Sequence, residues 1–156
     1  MSDLASILER YRSAGRRIAT AESCTGGMVT ARLTEIAGSS DVVERGFVVY
    51  SNEAKVELLG VSADLLSHYG AVSAQVARAM AEGALARSRA DVAISITGIA
   101  GPAGASAGKP VGLVYLAVAS KGRETRVERQ HFTGDRAEVR AAALERALDL
   151  LESALD

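Results

Sequence analysis

Apolar residues recur along the chain with two alternating periods, and their order predicts a domain built of both helices and strands. Leu4, Ile7, Leu8 and Tyr11 fall at helical spacing within residues 3–14 and stop at Gly15, the pattern of an amphipathic helix covering a sheet. Residues 18–21 form a short apolar run, hence a strand, and Met28, Val29, Leu33 and Ile36 then mark one helix face ending before Gly38. Residues 42–50 predict a second strand, in which Gly46 signals a bulge or a close backbone approach. Ser51 or Asn52 caps a short helix that runs to Leu59 and is closed by Gly60. A second short helix is expected over residues 63–68, and a longer one from Ser73 to about Arg89 turns Val76, Met80, Ala84 and Leu85 inward.

Residues 92–97 are almost continuously apolar, as suits a central strand covered on both faces. Residues 98–110 contain four glycines and no helical pattern. A parallel crossover usually needs a helix, so the next strand, residues 111–119, is expected to run antiparallel to its predecessor. Lys121-Gly122 turns the chain into a polar strand over residues 125–132 that suits a sheet edge. Asp135 and Glu138 match a capping box, and Val139, Leu144, Leu148, Leu151 and Leu155 line one face of a terminal helix. The sum is an α/β fold: a three-layer α/β/α sandwich with a mixed, mostly parallel sheet, in a single domain over residues 1–156.

Composition narrows the function classes. With 48% apolar and 24% charged residues and a net charge of -1, the chain offers no broad positive field, so no nucleic-acid partner is expected. Charged residues interrupt the apolar positions of the amino terminus, and no stretch reaches the roughly 18 apolar residues of a membrane span, so neither a signal peptide nor a membrane partner is expected. The single cysteine, Cys24, forms no internal disulfide and fits a reducing compartment. The expectation is a cytoplasmic protein.

Candidate chemistry gathers at three breaks: Ser23 after the first strand, residues 50–55 after the second, and residues 97–101 after the third. If these strands are parallel, the breaks share one sheet edge, where ligands bind in open α/β folds. A strand passing directly into a helix leaves Ser23 beside unpaired N–H groups, a place suited to a nucleophile and equally to an ordinary cap, supplied by Ser23 or Thr25. Neither His68 nor His131 falls in these breaks, so a Ser/His/Asp triad has no support. Lys55 is the candidate base, since burial or a neighbouring cation would leave part of its amine neutral. Tyr50 is placed to relay a proton or hold that amine, and Cys24 is a rival nucleophile.

Thr25, Gly26 and Gly27 let a substrate approach the helix start, where N–H groups would form an oxyanion hole. Thr97, Gly98, Ile99, Ala100 and Gly101 open a loop whose amides suit a phosphate, with Arg136 as an added charge. The loop lacks the Walker A spacing, and no cluster of carboxylates, histidines or cysteines suggests a metal.

Six segments, taken in order, resemble the C-terminal domain of competence/damage-inducible protein CinA, a family that includes stand-alone nicotinamide-nucleotide amidases. They are residues 20–27 (TAESCTGG), 50–55 (YSNEAK), 70–73 (GAVS), 97–102 (TGIAGP), 109–112 (KPVG) and 132–136 (FTGDR). The resemblance implies hydrolysis of the carboxamide of nicotinamide mononucleotide to nicotinate mononucleotide and ammonia, in pyridine nucleotide recycling. By the same resemblance Ser23 is the nucleophile, Lys55 the general base and Tyr50 its partner, with no cofactor or metal and a homo-oligomeric assembly. The loop after Pro102 departs from the glycine-richer family pattern, reading Ala103-Gly104-Ala105-Ser106-Ala107-Gly108. Relatives often carry an amino-terminal domain for which this chain has no room. The alternative from another class is a non-catalytic nucleotide-binding or regulatory module.

Overall fold

Side-chain caps set where most of the helices begin. Asp3, Ser51, Ser62, Ser73 and Asp135 each accept a first-turn N–H, starting α1 (Leu4–Ala14), α3 (Asn52–Leu59), α4 (Ala63–Tyr69), α5 (Ala74–Ala86) and α6 (Arg136–Ser153). Asp135 and Glu138 form the expected reciprocal capping box. Gly15 and Gly60 end α1 and α3 in the left-handed conformation. These elements come from a computed structural model that describes residues 3–156.

The remaining helix, α2 (Met28–Leu33), stops short of Ile36, and a 3-10 turn over Ser39–Asp41 leads into the next strand. The five strands are β1 (Ile18–Glu22), β2 (Val43–Val48), β3 (Val92–Gly98), β4 (Leu113–Ser120) and β5 (Arg126–His131), arranged in the order β2-β1-β3-β4-β5. β1 pairs parallel with β2 and β3, while β4 runs antiparallel to both of its neighbours, as the helix-free connection requires. The sheet is therefore mixed, with only β4 opposing the common direction. Polar β5 is an edge strand. Between Ile18 and Ala19 the β1–β2 register slips by one residue at Glu44 rather than at Gly46. The close approach expected at Gly46 does occur: a Cβ there would meet the Thr30 and Thr20 hydroxyls at 2.6 and 2.7 Å.

Alternation along the strands divides the core between two faces. Ile18, Ile94, Ile96, Val114, Leu116 and Val118 pack under α1, α2 and α6 with Leu4, Ile7, Leu8, Val29, Val139 and Leu151. The other face presents Ala19, Ala21, Ala93, Ala117 and Ala119, whose small side chains let α5 lie close through Val76, Ala77, Met80 and Ala81. Leu85, Leu144 and Leu155, expected inward, pack at the core margins.

β1 and β2 are joined by a helix on one face, β2 and β3 by helices on the other. The carboxyl ends of β1 and β3 therefore flank the point where the winding reverses, where a crevice opens. This frame places the exits of β1, β2 and β3 side by side.

The close contact of α5 with the end of α3 yields a stability prediction. Alanine normally favours a helix interior over glycine by about 0.5–1 kcal/mol. At Gly83, however, a Cβ would overlap the Leu59 main-chain carbonyl, which cannot rotate away. Gly83→Ala is expected to destabilise the fold by about 1–3 kcal/mol, lowering the thermal midpoint by roughly 2–4 °C per kcal/mol. A raised midpoint would refute this packing.

Candidate active site

Ser23 follows directly on β1, with its N–H bonded to the Ile96 carbonyl of β3 at 3.0 Å, so the sheet itself fixes where the serine backbone lies. Lys55 arrives from the next strand exit. Ser51 caps α3, and Lys55 and Leu59, four residues apart, are the two side chains that this helix buries. Only 1% of Lys55 is exposed. Its Nζ donates to the Val49 carbonyl at 3.0 Å, the Tyr50 carbonyl at 3.2 Å and Ser23 Oγ at 3.0 Å. Burial pushes the Lys55 amine below the ordinary lysine range, and the milder influences of Cys24 and Glu53 only partly offset it.

These contacts fit a base. A neutral amine has two N–H bonds and one lone pair; two carbonyls occupy the N–H bonds, which leaves the lone pair facing the serine hydroxyl. Tyr50 holds the amine through its main chain. Its phenol, on a residue 64% exposed, lies instead 3.3 Å from Arg136 Nη2, so the proton relay considered for it has no contact with Lys55. Cys24 also lines the cleft, but burial lifts its thiol to about 11, which keeps it protonated and weakly nucleophilic near neutral pH.

A cavity of about 260 Å³ opens above this pair, lined by Ser23, Cys24, Tyr50 and Lys55 on one side and by the residue 97–104 loop on the other. Thr97, Gly98, Ile99, Ala100 and Gly101 all line it. Thr97 donates to the Ala71 carbonyl at 2.9 Å, which brings Ala71 and Val72 into the wall. Arg136, the first residue of α6, donates to the Gly101 carbonyl at 2.9 Å and so sits between the glycine loop and Tyr50 at the cleft mouth.

The helix start differs from expectation. Neither Ser23 nor Thr25 caps α2; Gly27 holds the N-cap position with no side-chain bond. Thr25 is fully buried and donates its hydroxyl to Glu22, while the Gly26 N–H is taken by the Ser23 carbonyl. Thr25, Gly26 and Gly27 do not line the cleft, so neither the oxyanion hole nor the substrate contacts expected of them lie there. The first-turn N–H groups of Val29 and Thr30 go instead to the Glu22 carboxylate at 2.9 Å each. Sequence reasoning missed Glu22 and Arg140, which donates to the Cys24 and Thr25 carbonyls. The hints of Glu22 were a charged residue directly after an apolar strand and its place in the residue 20–27 segment.

Among the described residues no cluster of histidine, cysteine or carboxylate side chains could hold a metal ion, and no helix is long and apolar enough to cross a membrane. His131 lies against the Val111 carbonyl and His68 against the Tyr69 ring, both away from the cleft.

The family model described as the CinA C-terminal domain matches residues 2–155. A CinA-like protein from Syntrophobacter fumaroxidans is 55% identical over 143 residues, 92% of this chain and 34% of the relative. One from Mycolicibacterium vanbaalenii is 54% identical over 142 residues, 91% of this chain and 34% of the relative. The chain thus spans about a third of the length of these relatives. Among solved structures, the competence/damage inducible protein CihA from Agrobacterium tumefaciens superposes with a TM-score of 0.91 at 47% identity, covering 99% of this chain and 96% of that one. A competence-damaged protein (CinA) superfamily protein from Escherichia coli gives a TM-score of 0.92 at 39% identity, covering 96% and 87%. With the domain model matched almost end to end, the chain belongs to the CinA C-terminal domain family.

Proposed function

We propose that the cleft is the active site of a serine amidase that hydrolyses the carboxamide of nicotinamide mononucleotide to nicotinate mononucleotide and ammonia. The observation that carries this reading is the buried Lys55 amine 3.0 Å from Ser23 Oγ, with no carboxylate or histidine in the lining. A serine hydroxyl is a weak nucleophile until a base removes its proton, and a desolvated lysine can supply that base.

In this mechanism neutral Lys55 takes the Ser23 proton as Oγ attacks the carboxamide carbon, forming a tetrahedral intermediate. The resulting ammonium returns the proton to the departing nitrogen, the C–N bond breaks and ammonia leaves. Water then attacks the acyl-enzyme, with the Lys55 amine again as base and Ser23 Oγ as the leaving oxygen. Throughout, the Val49 and Tyr50 carbonyls hold the amine in place and stabilise its charged form when it carries the extra proton. The Ile99 N–H is taken by the Leu113 carbonyl, so the amides of Ala100 and Gly101 are the loop donors for the developing oxyanion or the phosphate. Arg136 supplies the cationic contact for the phosphate at the mouth.

Ser23→Ala is expected to lower ammonia release by at least about 10³-fold while leaving mononucleotide binding measurable by calorimetry. Wild-type protein that binds the mononucleotide but releases no ammonia would instead identify a non-catalytic binding module. For Arg136→Ala the expected change is a raised KM with a nearly constant kcat, since a phosphate contact far from the reacting carbon acts in ground and transition states alike.

The buried amine also fixes a pH dependence. Because its folded-state pKa lies below the unfolded value, the unfolded chain binds more protons between the two, so this group's contribution to stability rises with pH across that window. Below the folded pKa the protein must hold a buried ammonium. The stability of Lys55→Met relative to wild type should therefore shift in the variant's favour as pH falls, measured by denaturant unfolding across the pH range. Wild-type kcat/KM should rise with pH with a midpoint below the usual lysine value of about 10.4. A pH-independent stability difference would sink the depressed pKa.

A further inference from the structure

Two charged side chains outside the cleft grip the turn that carries Ser23. Alternation along β1 puts Glu22 on the same face as Ile18 and Thr20, under α2, where it is fully buried. Its Oε1 accepts the Thr25 hydroxyl at 2.7 Å and the Val29 N–H at 2.9 Å; its Oε2 accepts the Thr30 N–H at 2.9 Å and the Thr30 hydroxyl at 2.8 Å. The Thr30 hydroxyl is in turn 2.6 Å from that of Thr20 on β1. From α6, Arg140 donates Nε to the Cys24 carbonyl at 3.1 Å and Nη2 to the Thr25 carbonyl at 3.4 Å.

The segment these groups hold is otherwise loosely determined. Gly26 and Gly27 take φ values of 58° and 106°, conformations that glycine enters at little steric cost but with the largest loss of chain entropy. α2 has only six residues and no capping side chain, so it cannot brace the turn alone. A serine or threonine at the N-cap would satisfy one first-turn N–H at lower desolvation cost than a buried carboxylate. Glu22 instead spans the turn from β1 to α2, joining the strand before Ser23 to the helix after it. Arg140 lies one helical turn beyond Arg136, so α6 ties the nucleophile turn to the cationic mouth of the cleft.

We propose that Glu22 and Arg140 are positioning residues that clamp the residue 23–27 turn between β1 and α6, holding Ser23 Oγ within reach of the Lys55 amine. This inference rests on the reading of Ser23 as the nucleophile. Neither residue lines the cleft, so both act through the backbone they hold. A displacement of about 1 Å would break the serine–lysine contact, a misplacement that typically costs about 10²-fold in rate.

The test measures two rates on folded protein: phosphonylation of Ser23 by an alkyl phosphonofluoridate, followed by intact mass, and ammonia release from the mononucleotide. In the labelling step the Oγ–P bond forms, the P–F bond breaks, fluoride leaves and the serine proton passes to the Lys55 amine. Glu22→Gln keeps the size of the side chain but offers one acceptor oxygen where four donors converge. It and Arg140→Ala are expected to slow labelling and kcat by about 10²-fold with KM little changed, and Arg140→Lys should recover part of both. Thermal unfolding of the same samples establishes that each variant is folded. If Glu22→Gln does not fold, the two Arg140 variants decide the question. Folded variants that label at the wild-type rate, or that lose only KM, would overturn the positioning role. Wild-type protein that labels at Ser23 without releasing ammonia would overturn the amidase reading while leaving the labelling rates to judge the clamp. Wild-type protein that does not label at Ser23 would overturn both.

Discussion

A lysine amine enclosed by two main-chain carbonyls and one serine hydroxyl is the constraint on which the rest of the site depends. Burying an ammonium without a carboxylate is unfavourable, and the protein lowers that penalty by giving every N–H direction an oxygen. Replacing the serine oxygen by a carboxylate would hold the charge more firmly and remove the reason for a neutral amine. The arrangement therefore sits between two failures: a fully paired ammonium that cannot accept a proton and an unpaired one that would expel the side chain toward water. Local stability is given up at this position, a trade common at functional sites.

Such a pair can form because two strand exits are adjacent. β1 delivers Ser23 and β2 delivers Val49 and Tyr50, whose carbonyls then meet a side chain from α3 only five or six residues later. The tight link between β2 and α3 means that amine and acceptors move together. β3 contributes the Ile96 carbonyl that holds the Ser23 N–H and, beyond it, the loop that closes the opposite wall. The alanine-rich sheet face under α5 serves the same geometry from below. Ala19, Ala21 and Ala93 pack with Val76, Met80 and Ala84 of α5, and α3 in turn packs against α5 at Gly83.

On the other face the large residues of the sheet support α6, which carries Arg136 at the cleft mouth and Arg140 against the turn after Ser23. Its capping box fixes the register in which Arg136 faces Gly101 and Tyr50 while Arg140 reaches the Cys24 and Thr25 carbonyls. The carboxyl-terminal helix, though distant in sequence, is thus part of the site. Gly46 completes the picture at a smaller scale: any side chain there would strike the Thr20–Thr30 pair beneath which Glu22 is held.

The sequence by itself determined the order of elements, the antiparallel run of β4, the caps of α3 and α6, and the three breaks that would share an edge. Each of these depends on neighbours within a few residues, through periodicity, turn residues and capping, and so is written locally. It also pointed to Ser23 and Lys55, because residue type and position after a strand restrict the possible chemistry. Only the tertiary structure decided that the Tyr50 phenol faces Arg136 while its carbonyl holds the amine. Likewise, only the fold left Thr25 and the glycines after it out of the cleft lining and gave the first-turn N–H groups of α2 to Glu22. α3 buries just Lys55 and Leu59, so no apolar stripe along it could distinguish a buried lysine from a solvated one. The partners of Lys55, Glu22 and Arg140 lie across the sheet or on another helix, and the directions of their hydrogen bonds exist only once the layers have packed.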